Sequence, residues 1–500
     1  MSVMAGQDHS VRGTDENLDP SDWGELRQVA HRMLDDSLDY LQGRRDDPVW
    51  QPMPDAVRAS FRSPLPLDGE PLADVYQDYR ERVVPYAMGN THPRFWAWVM
   101  GGGTVEGVLA DMLASTLNPN MGGGNHSGPE VEWQVLDWLK EMLGFPQDAS
   151  GILVSGGSIA NLIGLAVARN ERSGVNSRAS GLQALPRGLT VYASVEGHSS
   201  VQRAVELLGI GDDNLRRIPV DAADRMSLPD LRRAIAEDVA TGLRPLAVVA
   251  NAGSTNTGAV DPLDALADVA AEHGAWFHVD GAFGALAYLA PRARPLLRGM
   301  ERADSLAFDL HKFAYLPFEV GCVLVRDAEA HYRTFTVHPD YLERAPRGLA
   351  GGDRWLSDFT PQLTRGFRAL KVWMSLRTHG VAKLGRVIEG NLLQAQRLAA
   401  LVEAIPELEL LAPVALNVVC FRFSPPGLPE EHLNSLNGEL LLRLQESGIA
   451  APSGTSVRGR FAIRCAITNH RTRDDDLDVL VEAVLRLGRE LLAQGWPRGG

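Results

Sequence analysis

The sequence predicts an α/β protein built on a sheet of parallel strands, and three observations carry that expectation. From about Gly151 onward, short β-branched apolar runs alternate with stretches of helical periodicity, the pattern of strands joined by crossover helices. Small and polar residues follow directly on those runs, where open α/β sheets place their ligands. The chain has 500 residues, 45% hydrophobic and 22% charged, which is enough for a large domain and a smaller lobe.

Taken in order, residues 1–20 lack periodic apolar positions and read as a disordered tail. A helix is expected after Pro20-Ser21, because Trp23, Leu26, Ala30, Met33, Leu34, Leu38 and Leu41 form one apolar stripe. Leu72 to Val83 repeats the pattern and is stopped by Pro85. These two helices need a covering surface, either the main domain or a second subunit. Strands are expected at Gly151–Val154, Thr190–Ala193, Pro245–Ala250, Ala275–Val279, Ser305–Phe308 and Val320–Val325. Leu263 to His273 reads as a helix closed by Gly274. A smaller α+β lobe follows from about Leu370, with strands at Leu416–Phe423 and Arg460–Ile467 and a final amphipathic helix, Leu477 to Leu492.

Composition excludes several classes. Lys+Arg 49 against Asp+Glu 63 leaves a net charge of −14, which disfavours general nucleic-acid or anionic-membrane binding. Cys322, Cys420 and Cys465 are far apart, so neither a disulfide framework nor a zinc cluster is expected, and a cytoplasmic location fits. Neither a secretory leader nor a bilayer-spanning run is evident.

Five places after the expected strands could carry chemistry. Ser155-Gly156-Gly157-Ser158 opens a helical pattern and could present backbone N–H groups to an anion, although a plain capped turn reads the same. His198-Ser199-Ser200 puts an imidazole where it could stack on a planar ligand. Ala252-Gly253-Ser254-Thr255 is a small hydroxyl-bearing turn. Asp280, in His278-Val279-Asp280, ends an apolar strand, so something cationic or protonated should meet it. His278 and Asp280 alternate as metal ligands would, but no further ligand is evident near them. Last, His311-Lys312 follows a buried strand. The chain has only four lysines, Lys140, Lys312, Lys371 and Lys383, and the other three fall on helical stretches as solvated or structural residues. A phosphate cradle, a stacking His, an Asp able to hold a pyridinium proton and a lysine nucleophile together describe a pyridoxal-phosphate site.

On these residues the chain resembles the group II pyridoxal-phosphate-dependent decarboxylases, the family of aromatic-L-amino-acid, glutamate and cysteine-sulfinate decarboxylases. The most specific match is Ala303-Asp304-Ser305 through His311-Lys312. Arg368-Ala369-Leu370-Lys371-Val372-Trp373 and Ile463-Arg464-Cys465-Ala466 through Asn469 and Thr472 match later landmarks. The resemblance implies the aspartate-aminotransferase fold (type I) with a seven-stranded, mostly parallel sheet. It divides the chain into a helical dimerisation segment (21–98), a large cofactor domain (99–369) and a small C-terminal domain (370–500). It implies a homodimer with active sites at the interface and no nucleic-acid or membrane partner.

The resemblance also implies residue roles. Pyridoxal 5'-phosphate (PLP) would sit as a Schiff base on Lys312, with Asp280 on the ring nitrogen and His198 stacked on the ring. Gly157, Ser158 and the segment Asp309 to His311 would hold the phosphate, and Thr255 and Ala282 would flank the ring. Tyr341 matches a mobile-loop tyrosine that protonates Cα after carbon dioxide leaves. The expected reaction is decarboxylation of an L-amino acid to its amine, an aromatic substrate being favoured over an acidic or diamino one. An aldehyde-forming or lyase outcome is the alternative, and a non-catalytic PLP-binding protein is disfavoured. Three departures stand out. Asp309 replaces the Asn of many relatives, and an acid beside a phosphate should repel it unless protonated or paired. Met121 to His126 is glycine-rich, with His126 a possible substrate contact, and Gly366 stands where a second Arg is common.

Overall fold

The structure, a computed structural model, describes residues 17–185, 188–337 and 344–496. The expected tail up to residue 16 and Tyr341 lie outside the described residues. Two compact units divide the chain, one comprising the residues up to Gly43 with Met53–Ala87, the other Arg44–Pro52 with the residues from Met88 onward.

In the larger unit, seven strands form one sheet: β1 (Ser150–Val154), β2 (Leu189–Ser194), β3 (Leu215–Ile218), β4 (Arg244–Asn251), β5 (Trp276–Asp280), β6 (Ser305–Asp309) and β7 (Gly321–Val325). Their order is β1-β7-β6-β5-β4-β2-β3. Strands β2 to β6 run parallel, while β7 is antiparallel to both β1 and β6. This is the fold-type-I sheet that the sequence implied. Strands β1, β2, β5, β6 and β7 are buried along their whole length, which is why they read as unbroken apolar runs rather than alternating ones. Six strands lie where periodicity put them, with ends shifted by a residue or so. The seventh, β3, was not expected: it is an edge strand paired only to β2, and Arg216 and Arg217 occupy its middle.

The helix Gly157–Arg172 packs across this sheet through Ala160, Ile163, Leu165, Val167 and Ala168. Gly164 makes the close approach possible, because a Cβ there would lie 2.8 Å from the His278 ring. The expected helix after Pro262 runs Leu263–Glu272, and Gly274 follows with φ +62°.

A second, wholly antiparallel sheet joins β8 (Leu408–Leu410), β9 (Val418–Phe423), β10 (Ser453–Val457) and β11 (Arg460–Ala466) in the order β10-β11-β9-β8. Helices Glu430–Glu446 and Asp474–Ala493 supply Leu436, Leu440, Leu480 and Val484 to its core. Strands β9 and β11 match the expected positions. Strands β8 and β10 were missed, one too short and the other written in Ser, Gly and Thr.

In the smaller unit, helix Trp23–Gly43 meets helix Leu72–Arg82 where the Tyr76 hydroxyl donates to Asp36 at 2.8 Å. Trp23, Leu72, Val75 and Tyr79 remain exposed. Among the described residues no helix is long and apolar enough to cross a membrane.

Candidate active site

Strands β2, β4, β5 and β6 end at one edge of the sheet, and their last residues, Ser194, Asn251, Asp280 and Asp309, are all buried. Beyond that edge opens a cavity of about 580 Å³. It is lined by every residue the resemblance assigned to the cofactor: Gly157, Ser158, His198, Thr255, Asp280, Ala282, Asp309, His311 and Lys312. His126 is elsewhere, accepting from Gly128 N at the start of helix Ser127–Leu143.

Asp280 is 4% exposed and is held on both oxygens: Oδ2 accepts from Asn161 Nδ2 at 2.8 Å and Oδ1 from Ala282 N at 3.1 Å. Asn161 Oδ1 can only accept, so the proton on its neighbour His278 sits on Nε2, 2.8 Å away. His278 Nδ1 then accepts from the Ser305 hydroxyl at 2.7 Å, and Ser305 in turn accepts from Trp276 Nε1. Both ring nitrogens are taken, so His278 has no lone pair for a metal. Burial holds its pKa at about 4, neutral as this network requires.

The chain of contacts continues to the cavity. Asn161 Nδ2 also donates to Ser200 Oγ, and Ser200 bonds His198 Nδ1 through both its hydroxyl and its backbone N–H. His198 Nδ1 accepts that N–H, which leaves the proton of the neutral ring on Nε2. Burial lowers the pKa of His198, opposed by the charge of Asp280 and reinforced by that of Lys312.

On the other wall, Lys312 Nζ lies 2.8 Å from Asp309 Oδ2, and His311 Nε2 is 3.6 Å from the same oxygen. The acid that the sequence left without a counterpart is therefore paired. Asp309 is 2% exposed and its Oδ1 has no hydrogen-bond partner. Burial also lowers the pKa of His311. Gly321 lets this strand end close on the glycine turn, since a Cβ there would lie 2.6 Å from both Asp309 Oδ1 and Gly156 Cα. The other three lysines stand apart from this cavity. Lys140 bonds the carbonyls of Gln147 and Ala149, Lys371 pairs with Asp111, and Lys383 lies against His379.

Sequence reasoning missed Asn161 as a partner of Asp280, although an Asn on the buried face of an apolar helix was the available signal. It noted Arg464 only as a landmark. The Arg464 guanidinium lines the cavity from β11 and donates to the carbonyls of Asn256, Trp98 and Thr255 at 2.5–2.9 Å.

The donor set fits PLP. A lysine amine, a buried carboxylate with a fixed acceptor geometry, an imidazole and the N-terminus of a helix that opens on two glycines face one cavity, which are the groups an aldehyde, a pyridine nitrogen, a ring face and a phosphate require. Comparison with known proteins agrees. The family model described as the pyridoxal-dependent decarboxylase conserved domain matches residues 54–424. An aromatic-L-amino-acid decarboxylase of Bacillus atrophaeus is 33% identical over 93% of this chain and 96% of its own. A phenylacetaldehyde synthase of Arabidopsis thaliana is 32% identical over 91% and 94%. The crystal structure of Oryza sativa TDC with PLP and tryptamine superposes with a TM-score of 0.88 at 29% identity, covering 95% of this chain and all of that one. With a PLP-compatible site at the expected sheet edge and likenesses that run nearly end to end, the chain belongs to the pyridoxal-dependent decarboxylase family, enzymes that use PLP as carboxy-lyases on amino acids.

Proposed function

We propose that this enzyme converts an aromatic L-amino acid to its amine and carbon dioxide, with Lys312 holding the cofactor. The observation that carries the substrate class is the charge of the cavity wall. Its lysine and arginine side chains among the described residues are Lys312, which is paired with Asp309, and Arg464, which is spent on backbone carbonyls. Neither is placed to receive a second carboxylate. Glu319 on the same wall is paired with Arg368 at 2.7 Å, while Trp98, Val99 and Phe318 offer apolar surface to a flat neutral side chain.

When bound, PLP supplies the electron sink that makes loss of the carboxyl group feasible. In this reading Asp280, oriented by Asn161, holds a proton on the ring nitrogen. His198, kept neutral and fixed by Ser200, stacks on the ring and orients the substrate. Gly157, Ser158, Asp309 and His311 hold the phosphate, and Thr255 and Ala282 confine the ring. Tyr341 is assigned the return of a proton to Cα on the strength of the resemblance.

The same reading takes 21–98 as a dimerisation segment, which the exposed Trp23, Leu72, Val75 and Tyr79 support. It takes 99–369 and 370–500 as cofactor and small domains, supported by a second apolar core that, apart from Trp96, draws on residues from Ala395 onward. A cytoplasmic, reducing setting accords with three free, buried cysteines, and the homodimer rests on the resemblance and on those exposed apolar residues.

The test is carbon dioxide release across a panel of L-amino acids, with amine, aldehyde and peroxide assayed together. Equal amounts of carbon dioxide and amine from Phe, Tyr, Trp or dihydroxyphenylalanine are expected. Release from glutamate or cysteine sulfinate alone would overturn the substrate class, and aldehyde with peroxide would overturn the role given to Tyr341.

A further inference from the structure

We propose that Asp309 makes cofactor capture proton-linked: the phosphate of PLP is accepted together with a proton on the Asp309 carboxyl, so that binding weakens as pH rises. This rests on the cofactor placement proposed above and adds to it.

The argument starts from position. Asp309 ends β6 directly beneath the turn that opens helix Gly157–Arg172. Cβ atoms built at Gly157 and Gly156 would lie 3.2 Å from its Oδ2 and 3.5 Å from its Oδ1. The carboxyl group is thus packed against the backbone that would cradle a phosphate, and it is buried, with one oxygen unpartnered. Its one close cation is Lys312, the residue whose nitrogen the cofactor takes. Once that nitrogen is engaged, an ionised Asp309 would face a phosphate from a buried position. A protonated Asp309 presents an O–H donor instead.

The surrounding groups do not supply a substitute charge. On the same turn, burial lowers the pKa of His311, against the charge of Asp309. Across β7, the Cys322 thiol is held protonated by burial. His198, from the helix after β2, is lowered by burial; Asp280 on β5 is an acid, Glu319 in the loop after β6 is an acid already paired with Arg368, and Arg464 on β11 is spent on backbone carbonyls.

The experiment compares full-length cofactor-free protein with Asp309→Asn, an isosteric change that keeps a hydrogen-bond donor and removes the charge. Dissociation constants for PLP and for pyridoxal, which lacks the phosphate, are measured by fluorescence quenching from about pH 6.5 to about pH 8.5. The wild-type-to-variant ratio of constants is expected to rise by about tenfold or more across that window for PLP, since one proton taken up on binding gives up to tenfold per pH unit. For pyridoxal it should stay constant. A flat ratio for PLP, or an equal rise for pyridoxal, would overturn the proposal, the latter assigning the effect to the Asp309–Lys312 pair alone. Flat ratios in a protein that still releases carbon dioxide would contradict this inference and leave the proposed function standing. Failure of both proteins to bind PLP would contradict both.

Discussion

Asn161 and Asp280, 119 residues apart, meet at 2.8 Å, and through that amide the cofactor wall is tied to the back of the sheet. The same side chain bonds His278 and Ser200, so one helical residue orients Asp280 and fixes the route to His198.

Replacing Asn161 with Ala should therefore act on the reaction and on stability together. It strips a partner from three buried groups, Asp280, His278 and Ser200, at about 1–3 kcal/mol each. Urea unfolding should show a lowered midpoint, and carbon dioxide release should fall by about tenfold or more. An unchanged rate in a folded variant would remove Asn161 from the positioning of Asp280.

A second buried connection supports the glycine turn from below. Arg365 and Glu132, both fully buried, pair at 2.5 Å, and Arg365 also donates to the carbonyls of Met121 and Leu153. Arg365→Met strands a buried carboxylate and should cost about 3–5 kcal/mol in denaturant unfolding. The double variant Arg365→Met/Glu132→Leu should recover much of that loss. A double variant no more stable than the single one would contradict the ion pair as the cause.

Stability should also fall on acidification. Burial, first among the causes, lowers His92, His331 and His470 to about 3 and His278 to about 4, against an ordinary value of 6.5. Below pH 6.5 the unfolded chain binds protons that these folded sites refuse, so stability is full above that pH and is lost as pH falls toward 4. Each histidine contributes up to about 1.4 kcal/mol per pH unit. Asp261, raised to about 6 by burial, has the opposite sign: its contribution is present at low pH and is lost as pH rises through 6. His198 and His311, also lowered by burial, join the four, and Asp304, also raised by burial, joins Asp261; six sites against two give a lower urea midpoint at pH 5 than at pH 7, and equal midpoints would contradict the account.

The sheet was legible in the sequence because its central strands are buried on both faces and must be apolar throughout. Strand β3 was not, since an edge strand tolerates Arg216 and Arg217 at its centre. The residues proposed to meet the cofactor, such as Lys312 and Asp280, stood out in the sequence because that chemistry would restrict the residue type there. It was not legible where a residue acts on another protein group. Nothing local to Asn161 reveals Asp280, and nothing local to Arg464 reveals the carbonyls of Asn256 and Thr255. The pairing of Asp309 lay between these cases: its charge signalled a need for a partner, and only the fold brought Lys312 Nζ to it.

The scarcity of lysine makes the central claim, that this cavity holds the cofactor on Lys312, open to one direct measurement. Borohydride reduction of the holoenzyme followed by peptide mass mapping should find the cofactor's added mass on the peptide containing Lys312. Finding it on Lys140, Lys371 or Lys383, or on no lysine of a catalytically active preparation, would contradict the assignment.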